Sequence, residues 1–239
     1  MSNSFVSLQN VSLAYGKTVA VSNLDLNVRK GELIALLGPS GCGKTTTMRA
    51  IAGLMSLHSG SISIDGVDMS RTPANKRGIG LVFQSYALFP HLNAFENVAF
   101  GLRIKKFSTP EIATRVGKGL TMVGLSHLAE RKPQEMSGGQ QQRLSLARSL
   151  VMEPKVLLLD EPLSNLDARL RLEMRTELQR VQRDTGITMI FVTHDQSEAL
   201  ALADRIVLMK NGVIEQLGTP DDLYNRPATA FAADFYSVG

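Results

Sequence analysis

The sequence predicts an α/β fold built on a mixed, partly parallel sheet, and three features of the chain support this class. Apolar and polar residues alternate through much of the first thirty positions. Short apolar runs occur at 33–37 and 156–159, a mostly apolar one occurs at 187–192, and helical spacing prevails between 86 and 153. Alternation is typical of antiparallel strands with one solvated face, whereas short continuous runs are typical of buried parallel strands. We therefore expect an α/β core, an N-terminal antiparallel β subdomain and a helical insertion.

Composition excludes several classes of protein. The chain has 239 residues, of which 44% are hydrophobic and 20% charged, so disordered and collagen-like chains are excluded. Its formal net charge of +4 is too small an excess to indicate nucleic acid or acidic lipid as a partner. A single cysteine excludes an internal disulfide framework and a cysteine-cluster metal site, which suits a reducing compartment. The first residues lack the pattern of a secretory signal, and no apolar run approaches the roughly 18 residues of a membrane span. Any work at a membrane is therefore expected to proceed through a partner.

Local patterns place the strands in order along the chain. Alternation over 6–13 and 24–28 predicts two antiparallel strands, the run 33–37 predicts a buried strand, and 62–64 and 79–83 predict two more. Later strands are predicted at 156–159, 187–192, 206–209 and 213–214. The dipeptide Asn211-Gly212 between the last two is a strong signal for a two-residue hairpin turn.

Hydroxyl residues followed by proline mark two helix starts. Ser108-Thr109-Pro110-Glu111 and Thr219-Pro220-Asp221-Asp222 both combine a capping hydroxyl with a proline and an acid in the first turn. A long helix is predicted from about Asp167, with an apolar stripe formed by Leu166, Leu170, Met174, Leu178 and Val181. The arginines of this helix are interpreted as a solvated surface with intrahelical pairs of Glu173 and Glu177 with Arg180, in preference to a nucleic-acid face.

A glycine-rich loop directly follows the strand at 33–37 and precedes a helical pattern. It reads Gly38-Pro39-Ser40-Gly41-Cys42-Gly43-Lys44-Thr45-Thr46, which contains the P-loop pattern in its required context. The glycines let backbone N–H groups face a phosphate, and the helix N-terminus adds a favourable dipole. Lys44 is expected to bridge the β- and γ-phosphates and the Thr45 hydroxyl to hold Mg²⁺. A glycine-rich turn that matches by chance is the alternative. The core is therefore predicted to be a P-loop ATPase with ATP and Mg²⁺ as cofactors.

The lone cysteine, Cys42, lies inside this loop. A helix N-terminus can make a thiol reactive, but a small side chain is also tolerated where the backbone binds the ligand. We favour the second interpretation. Equal rates of thiol alkylation with and without MgATP would contradict a position beside the nucleotide.

Two acids end the apolar run at 156–159. Asp160 is expected to reach the metal, and Glu161, one residue further, to polarise the water that attacks the γ-phosphate. A solvated strand end with two acids is the alternative, and the P-loop upstream disfavours it.

A second candidate anion site is Met136-Ser137-Gly138-Gly139-Gln140, in which Ser137 would cap a following helix. One γ-phosphate cannot easily use two such sites from one chain, so the second is expected to act on a nucleotide held by another copy in a two-fold dimer. With the P-loop and Asp160-Glu161, in this order, the chain resembles the nucleotide-binding subunit of an ATP-binding cassette (ABC) transporter.

The resemblance covers essentially the whole chain and implies further roles. Tyr15 matches the aromatic residue that stacks on adenine, and Gln84 the glutamine that touches Mg²⁺ or water. Ser164-Asn165-Leu166-Asp167 resembles the loop that crosses the dimer interface, and His194 matches the histidine that contacts the γ-phosphate. Met136 departs from the leucine that commonly opens the second anion motif, and little functional loss is expected because methionine is adaptable. We expect one ABC ATPase domain over 1–239, with 1–85 and 156–239 as the core and 86–155 as the helical subdomain.

The segments 82–91, 95–101 and 218–227 resemble the importer branch, with ATPases of polyamine, ferric-iron and phosphonate importers as the nearest likeness. The resemblance implies a bacterial-type protein at the cytoplasmic face of the inner membrane, bound to separate permease subunits and indirectly served by a solute-binding protein. Tyr86, Leu88 and Phe89 are expected to be exposed there as a socket for the permease. Members of this branch commonly continue into a C-terminal β-rich regulatory domain, and we expect that domain to be absent here.

The predicted function is therefore that of an ATP hydrolase whose dimer drives a solute importer. One alternative is an ABC ATPase acting on nucleic acid or ribosomes. Such chains usually carry two cassettes, coiled-coil inserts or zinc-binding cysteines, and this sequence has one P-loop and one cysteine. A second alternative is a P-loop kinase, in which Ser137 and His194 would have no evident task.

Overall fold

The computed structural model describes residues 4–237, which form two β-sheets and a set of α-helices. The strands are β1 (Ser4–Tyr15), β2 (Thr18–Arg29), β3 (Leu33–Leu37), β4 (Ser59–Ile64), β5 (Val67–Asp68), β6 (Ile79–Val82), β7 (Val156–Asp160), β8 (Thr188–Val192), β9 (Arg205–Lys210) and β10 (Val213–Gly218). The α-helices are α1 (Lys44–Ala52), α2 (Ala94–Ile104), α3 (Thr109–Met122), α4 (Gly138–Leu150), α5 (Ala168–Thr185), α6 (Gln196–Leu202), α7 (Pro220–Asn225) and α8 (Ala230–Ser237).

The smaller sheet is antiparallel and has the strand order β2-β1-β4-β5. Val6 pairs with Val28 and with Ile64, and all three side chains are fully buried. This arrangement confirms the antiparallel N-terminal strands that the alternating pattern predicts. The solvated face is less regular than the prediction, because Phe5 and Ser7 are also buried in β1.

The larger sheet has the order β10-β9-β3-β8-β7-β6, in which β10 is the antiparallel edge strand. Its other neighbouring strands run parallel, as the pairs Leu36 with Val192 and Val82 with Leu159 show. Parallel strands present their carboxyl ends at one edge of a sheet, where ligands of α/β proteins bind. The loops that follow β3, β6, β7 and β8 therefore emerge together, which positions the candidate site.

Two apolar cores cover the two faces of the larger sheet. On one face, Ala35 and Phe191 pack with the helices that follow β6 and β7. On the other face, Ile34 and Ile190 pack with α1 and the smaller sheet. Each fully buried side chain of this size stabilises the fold by roughly 1.5–3 kcal/mol relative to exposure. Burial on both faces explains why the predicted parallel strands are continuous apolar runs.

The segment between β6 and β7 is largely helical, with α2, α3 and α4 packed on one another. α3 begins as its sequence predicts: the Glu111 carboxylate accepts hydrogen bonds from the Ser108 N–H and hydroxyl, and Pro110 lies in the first turn. The buried face of α3 carries Ile112, Val116 and Leu120. No helix within residues 4–237 combines the length and apolarity needed to cross a membrane.

The later elements confirm most predictions from local sequence. Asn211-Gly212 joins β9 to β10, Thr219 caps α7, and Asp167 caps α5. The helices α6 and α8 were not predicted, since seven or eight residues are too short for a clear helical period. In α5, Glu177 pairs with Arg180 as predicted, but Glu173 pairs with Arg169 because that arginine lies one turn before it.

Candidate functional site

The P-loop connects β3 to α1 and wraps around its own lysine. The Lys44 ammonium donates hydrogen bonds to the carbonyls of Gly38 at 2.6 Å and Pro39 at 2.9 Å, and the side chain is buried. α1 begins at Lys44, so the positive end of the helix dipole lies in the loop. Pro39 and Ser40 are exposed, which leaves the outer side of the loop open to solvent. A buried ammonium and a helix N-terminus in one loop form an arrangement that suits a phosphate group.

Tyr15, at the end of β1, lies beside the start of α1. Its hydroxyl is 3.4 Å from the hydroxyl of Thr46, and the residue is 53% exposed. An aromatic ring this exposed next to a P-loop offers a flat apolar surface to a planar ring of a ligand.

At the end of the P-loop, a hydroxyl group and a carboxylate from different elements approach each other. The Thr45 hydroxyl lies 3.5 Å from Oδ1 of Asp160, at the end of β7. Burial, and secondly the neighbouring Glu161 carboxylate, raise the pKa of Asp160. A hydroxyl and a carboxylate are ligands that suit Mg²⁺, which binds few protein groups and completes its shell with water and phosphate oxygens. No group of three or more His, Cys, Asp or Glu with metal-binding geometry occurs in the part of the chain that the structure describes.

Glu161 is held between two polar side chains from other loops. One carboxylate oxygen accepts a hydrogen bond from Gln84 Nε2 at 2.9 Å, and the other lies 3.4 Å from Nδ1 of His194. The backbone of Glu161 has a φ of 45°, and its N–H donates to the Val192 carbonyl at 3.0 Å. A non-glycine residue in this left-handed region is uncommon and is typical of functional turns. The arrangement presents an oriented carboxylate that can accept a proton from water.

Gln84 contacts Glu161 and not the oxygen pair of Thr45 and Asp160. Its side-chain amide also donates to the Ser164 hydroxyl at 3.2 Å, and its backbone carbonyl accepts from Asn165 Nδ2 at 3.0 Å. These contacts with Ser164 and Asn165 were not predicted, because they join residues 80 and 81 positions apart. The loop after Glu161 is therefore fixed directly to the loop after β6.

The second candidate anion site lies at the start of α4. The Ser137 hydroxyl accepts from the Gln140 N–H, and the Gln140 side chain accepts in turn from the Ser137 N–H at 2.9 Å. Ser137 and Gly138 are exposed, whereas Met136 is 7% exposed and anchors the motif in the core. Gly139 is buried, and a Cβ there would lie 3.2 Å from Leu170.

Within residues 4–237, the hydrogen bonds of Ser137–Gln140 stay near the start of α4 and do not reach the P-loop, Asp160 or Glu161. The Asp167 carboxylate likewise caps α5, through the Leu170 N–H at 2.9 Å. The chain thus brings together Tyr15, the P-loop, Gln84, Asp160, Glu161 and His194, and leaves Ser137–Gln140 and Asp167 apart from them.

The expectation that Tyr86, Leu88 and Phe89 are exposed is wrong. All three are partly buried, because the chain turns inward at Tyr86, whose φ is 60°, and its carbonyl accepts hydrogen bonds from Ser145 and Arg148 of α4. Phe83, three residues before Tyr86, is 41% exposed, and Phe100, whose ring centroid lies 4.3 Å from that of Phe89, is 39% exposed. Ile104, at the end of α2, is 68% exposed.

The arginines of α5 are engaged in local contacts. Arg180 pairs with Glu177 and Asp184, and Arg171 lies 3.7 Å from Asp195 and 3.6 Å from Glu198. Such pairs give the helix a mixed surface and not a uniformly basic face.

Comparison with known proteins gives consistent results at the levels of family, sequence and fold. A family model described as "ABC transporter" matches residues 21–164. An Fe(3+) ions import ATP-binding protein of Rhizobium etli is 54% identical over 230 residues, which cover 96% of this chain and 65% of that protein. A spermidine/putrescine import ATP-binding protein of Mesoplasma florum is 52% identical over 235 residues, which cover 98% of this chain and 67% of that protein. This chain thus spans about two thirds of the length of these curated relatives.

Two solved structures have the same fold. The first is cbiO1 from Clostridium perfringens, described as part of the ABC transporter complex cbiONQ. It matches with a TM-score of 0.88 and 32% identity, over 94% of this chain and 92% of that one. The second is the ATP-binding cassette MJ0796 in a dimeric post-hydrolysis state bound to ADP and Pi. It matches with a TM-score of 0.79 and 34% identity, over 90% of this chain and 98% of that one. These matches confirm the predicted α/β fold class.

Proposed function

Since this chain belongs to the ABC transporter family, we propose that it is the ATP-hydrolysing subunit of an importer. The single observation that supports hydrolysis most directly is the position of Glu161. Its carboxylate is oriented by Gln84 and His194 next to the loop that contains Lys44 and Thr45. A binding module that only holds a nucleotide has no need of a carboxylate oriented in this way.

Lys44, Thr45 and Asp160 are the residues proposed to hold the triphosphate and its metal. Lys44 would exchange the carbonyls of Gly38 and Pro39 for β- and γ-phosphate oxygens. Thr45 and Asp160 would hold Mg²⁺, the latter directly or through water, with Gln84 as a further contact when its side chain turns from Glu161. When bound, the metal ion neutralises charge on the phosphates during transfer. Tyr15, exposed beside Thr46, would stack on the adenine ring.

The hydrolytic step is proposed to use Glu161 as general base. Its carboxylate accepts a proton as the water oxygen attacks the γ-phosphorus, and the bond from that phosphorus to the bridging oxygen breaks to give ADP and phosphate. His194, 59% exposed at its side chain and 3.4 Å from Glu161, would contact both the carboxylate and the γ-phosphate. Because the Glu161 carboxylate is already oriented before the reaction, accepting the proton requires no further ordering of its side chain.

A second copy of the chain is proposed to complete each site. Ser137–Gln140 form a capped helix start with exposed residues, yet they are separate from the P-loop of their own chain. A two-fold dimer would place these residues and Asp167 of one copy against a nucleotide held by Lys44 of the other. The dimeric state described for the ADP-bound structural relative supports this arrangement.

The proposed partners are transmembrane permease subunits, with a solute-binding protein acting on the permease from the other side. The exposed apolar residues Phe83, Phe100 and Ile104 and the partly buried Tyr86 and Phe89 supply a surface for the permease. The site of action would be the cytoplasmic face of a bacterial inner membrane. The names of the relatives support a small solute, with ferric iron, polyamines and, from the sequence resemblance, phosphonates as candidates.

We also propose that the chain is divided into a core, 1–85 and 156–239, and a helical subdomain, 86–155.

The test of hydrolysis is Glu161→Gln, which keeps the shape of the side chain and removes the base. The variant is expected to bind MgATP with unchanged affinity, to dimerise with it, and to release phosphate at least ~100-fold more slowly than the unaltered chain. Undiminished phosphate release would remove Glu161 from this role. Exposed Glu153, changed to Gln, is the matched control and should leave the rate unchanged.

The partner class needs a separate experiment. Co-purification of the chain with a polytopic membrane protein supports transport. Stimulation of phosphate release by DNA or RNA, without such a partner, would support the alternative of a nucleic-acid-directed ATPase.

A further inference from the structure

The turn between β9 and β10 lies directly behind the P-loop and is bonded to it. The Gly212 N–H donates a hydrogen bond to the Cys42 carbonyl at 3.1 Å, and the Gly212 carbonyl accepts one from the Ser22 N–H at 3.0 Å. One residue therefore joins the P-loop to β2 through its two backbone groups. Neither bond is needed to close the hairpin, because β9 and β10 pair through Val213 and Lys210.

The three segments meet without space for a side chain at Gly212. This glycine is buried with a φ of +80°, and a Cβ on it would lie 2.6 Å from the Ala20 carbonyl oxygen and 3.2 Å from the Val21 Cα. The P-loop is equally close to β9 and β2: a Cβ on Gly38 would lie 2.2 Å from the carbonyl oxygen of Met209 in β9, and one on Gly43 would lie 2.8 Å from Cγ2 of Val21 in β2. Any side chain at 212 must therefore displace the turn relative to β2 and the P-loop.

The hydrogen bond from Gly212 to the Cys42 carbonyl affects the orientation of the part of the P-loop that would face the phosphates. The carbonyl of Cys42 and the N–H of Gly43 belong to one planar trans peptide group, so they point in opposite directions. Holding the carbonyl against Gly212 fixes the Gly43 N–H on the side away from the hairpin. Backbone N–H groups of such a loop are its ligands for an anion, and their directions determine how well it binds.

We propose that Gly212 is a positioning residue for nucleotide binding, which sets the orientation of the peptide between Cys42 and Gly43 from outside the P-loop. This inference rests on the proposed function, since it assumes that the P-loop binds MgATP. Gly212 itself would not touch the nucleotide.

The chain contains a matched control for this glycine. Asp65-Gly66 joins β4 to β5 by the same kind of two-residue turn, with φ values of 53° and 74° against 49° and 80° for Asn211-Gly212. Gly66 is exposed and a Cβ on it would meet no atom within 4 Å. Alanine therefore imposes the same backbone strain at both positions, but crowding only at Gly212.

The experiment compares Gly212→Ala, Gly66→Ala and the unaltered chain by their Kd for MgATP and their Tm. Gly66→Ala is expected to lose roughly 2–4 °C in Tm from the strain of alanine at positive φ, and Gly212→Ala to lose more, because its Cβ is also crowded. We expect Gly212→Ala also to raise the Kd for MgATP about tenfold or more, and Gly66→Ala to leave it within about twofold. Equal affinities of the two folded variants would overturn the positioning role alone. An unaltered chain that does not bind MgATP would overturn the proposed function, and this inference with it.

A measurement on the unaltered chain covers the case in which Gly212→Ala does not fold. Ordering of the P-loop by MgATP is expected to slow hydrogen exchange of the Gly212 amide severalfold, since that amide is bonded to Cys42. The Gly66 amide should not respond. Equal responses at the two amides, or no response at Gly212, would contradict the coupling.

Discussion

The ion pair between Glu32 and Arg205 joins the start of β3 to the start of β9, and its loss should destabilise the larger sheet. Glu32 is 4% exposed, and its carboxylate accepts hydrogen bonds from Arg205 at 2.5 and 2.9 Å and from the Arg29 N–H at 2.7 Å. Burial by itself raises the pKa of Glu32, but the hydrogen bonds from Arg205 and Arg29 outweigh burial and leave that pKa below its ordinary value of 4.5. The ionised carboxylate is therefore the form that stabilises the fold.

The change Glu32→Gln keeps the shape of the side chain and removes its charge. The amide retains one acceptor oxygen and turns an NH₂ group toward a donor, so at least one charge-assisted hydrogen bond is lost. Such a hydrogen bond is worth about 1.5–3 kcal/mol. Arg205 is 20% exposed and still donates to the Asn27 carbonyl, which keeps the cost near the lower end. We expect a loss of about 2 kcal/mol at pH 7, or roughly 4–8 °C in Tm.

The pH dependence gives this prediction a defined sign. Because the folded-state pKa of Glu32 is depressed, its contribution is fully present above the ordinary value of 4.5 and is lost as the pH falls through the folded-state pKa. Thermal and urea unfolding of the unaltered chain and of Glu32→Gln should be compared at pH 7 and at the lowest pH at which both stay folded. The difference between their free energies of unfolding should shrink as the pH falls. Exposed Glu153, paired with Arg115, is the control, and its change to Gln should cost less than about 0.5 kcal/mol. A Glu32→Gln variant as stable as the Glu153→Gln control at pH 7 would refute the reasoning.

Three further changes test the core and the site. Phe191→Ala, at a ring 1% exposed in the central sheet, should cost about 3–5 kcal/mol in urea unfolding, and Phe100→Ala, 39% exposed, far less. His194→Ala should slow phosphate release ~100-fold or more while MgATP binding persists; the exposed His127→Ala should match the unaltered chain, and equal rates would exclude a role for His194. Asp160→Asn should raise the Mg²⁺ concentration needed for half-maximal nucleotide binding by at least tenfold, measured by titration of the metal at fixed ATP. An unchanged titration would remove Asp160 from the metal site.

Much of the fold was predictable because its signals are local. The run Leu33–Leu37 is buried on both faces, so it contains no polar residue, and Asn211-Gly212 permits the two positive φ values that a short hairpin turn needs. The helices α6 and α8 were not predictable in this way, since their short sequences leave no clear period. Exposure of Tyr86 was predicted wrongly, because its partners Ser145 and Arg148 lie about sixty positions away.

In the candidate site, too, some features follow from local sequence and others only from the tertiary structure. The sequence determined the types and order of its groups: a P-loop after a strand, acids at a strand end, and a capped glycine pair before a helix, each of which needs only neighbouring residues. Tertiary structure alone decided that Glu161 is held by Gln84 and His194, that Thr45 approaches Asp160, and that Gly212 supports the loop at Cys42. The physical reason is that these groups come from the carboxyl ends or edges of different strands, and the strand order of a sheet is set by long-range packing and not by any local pattern.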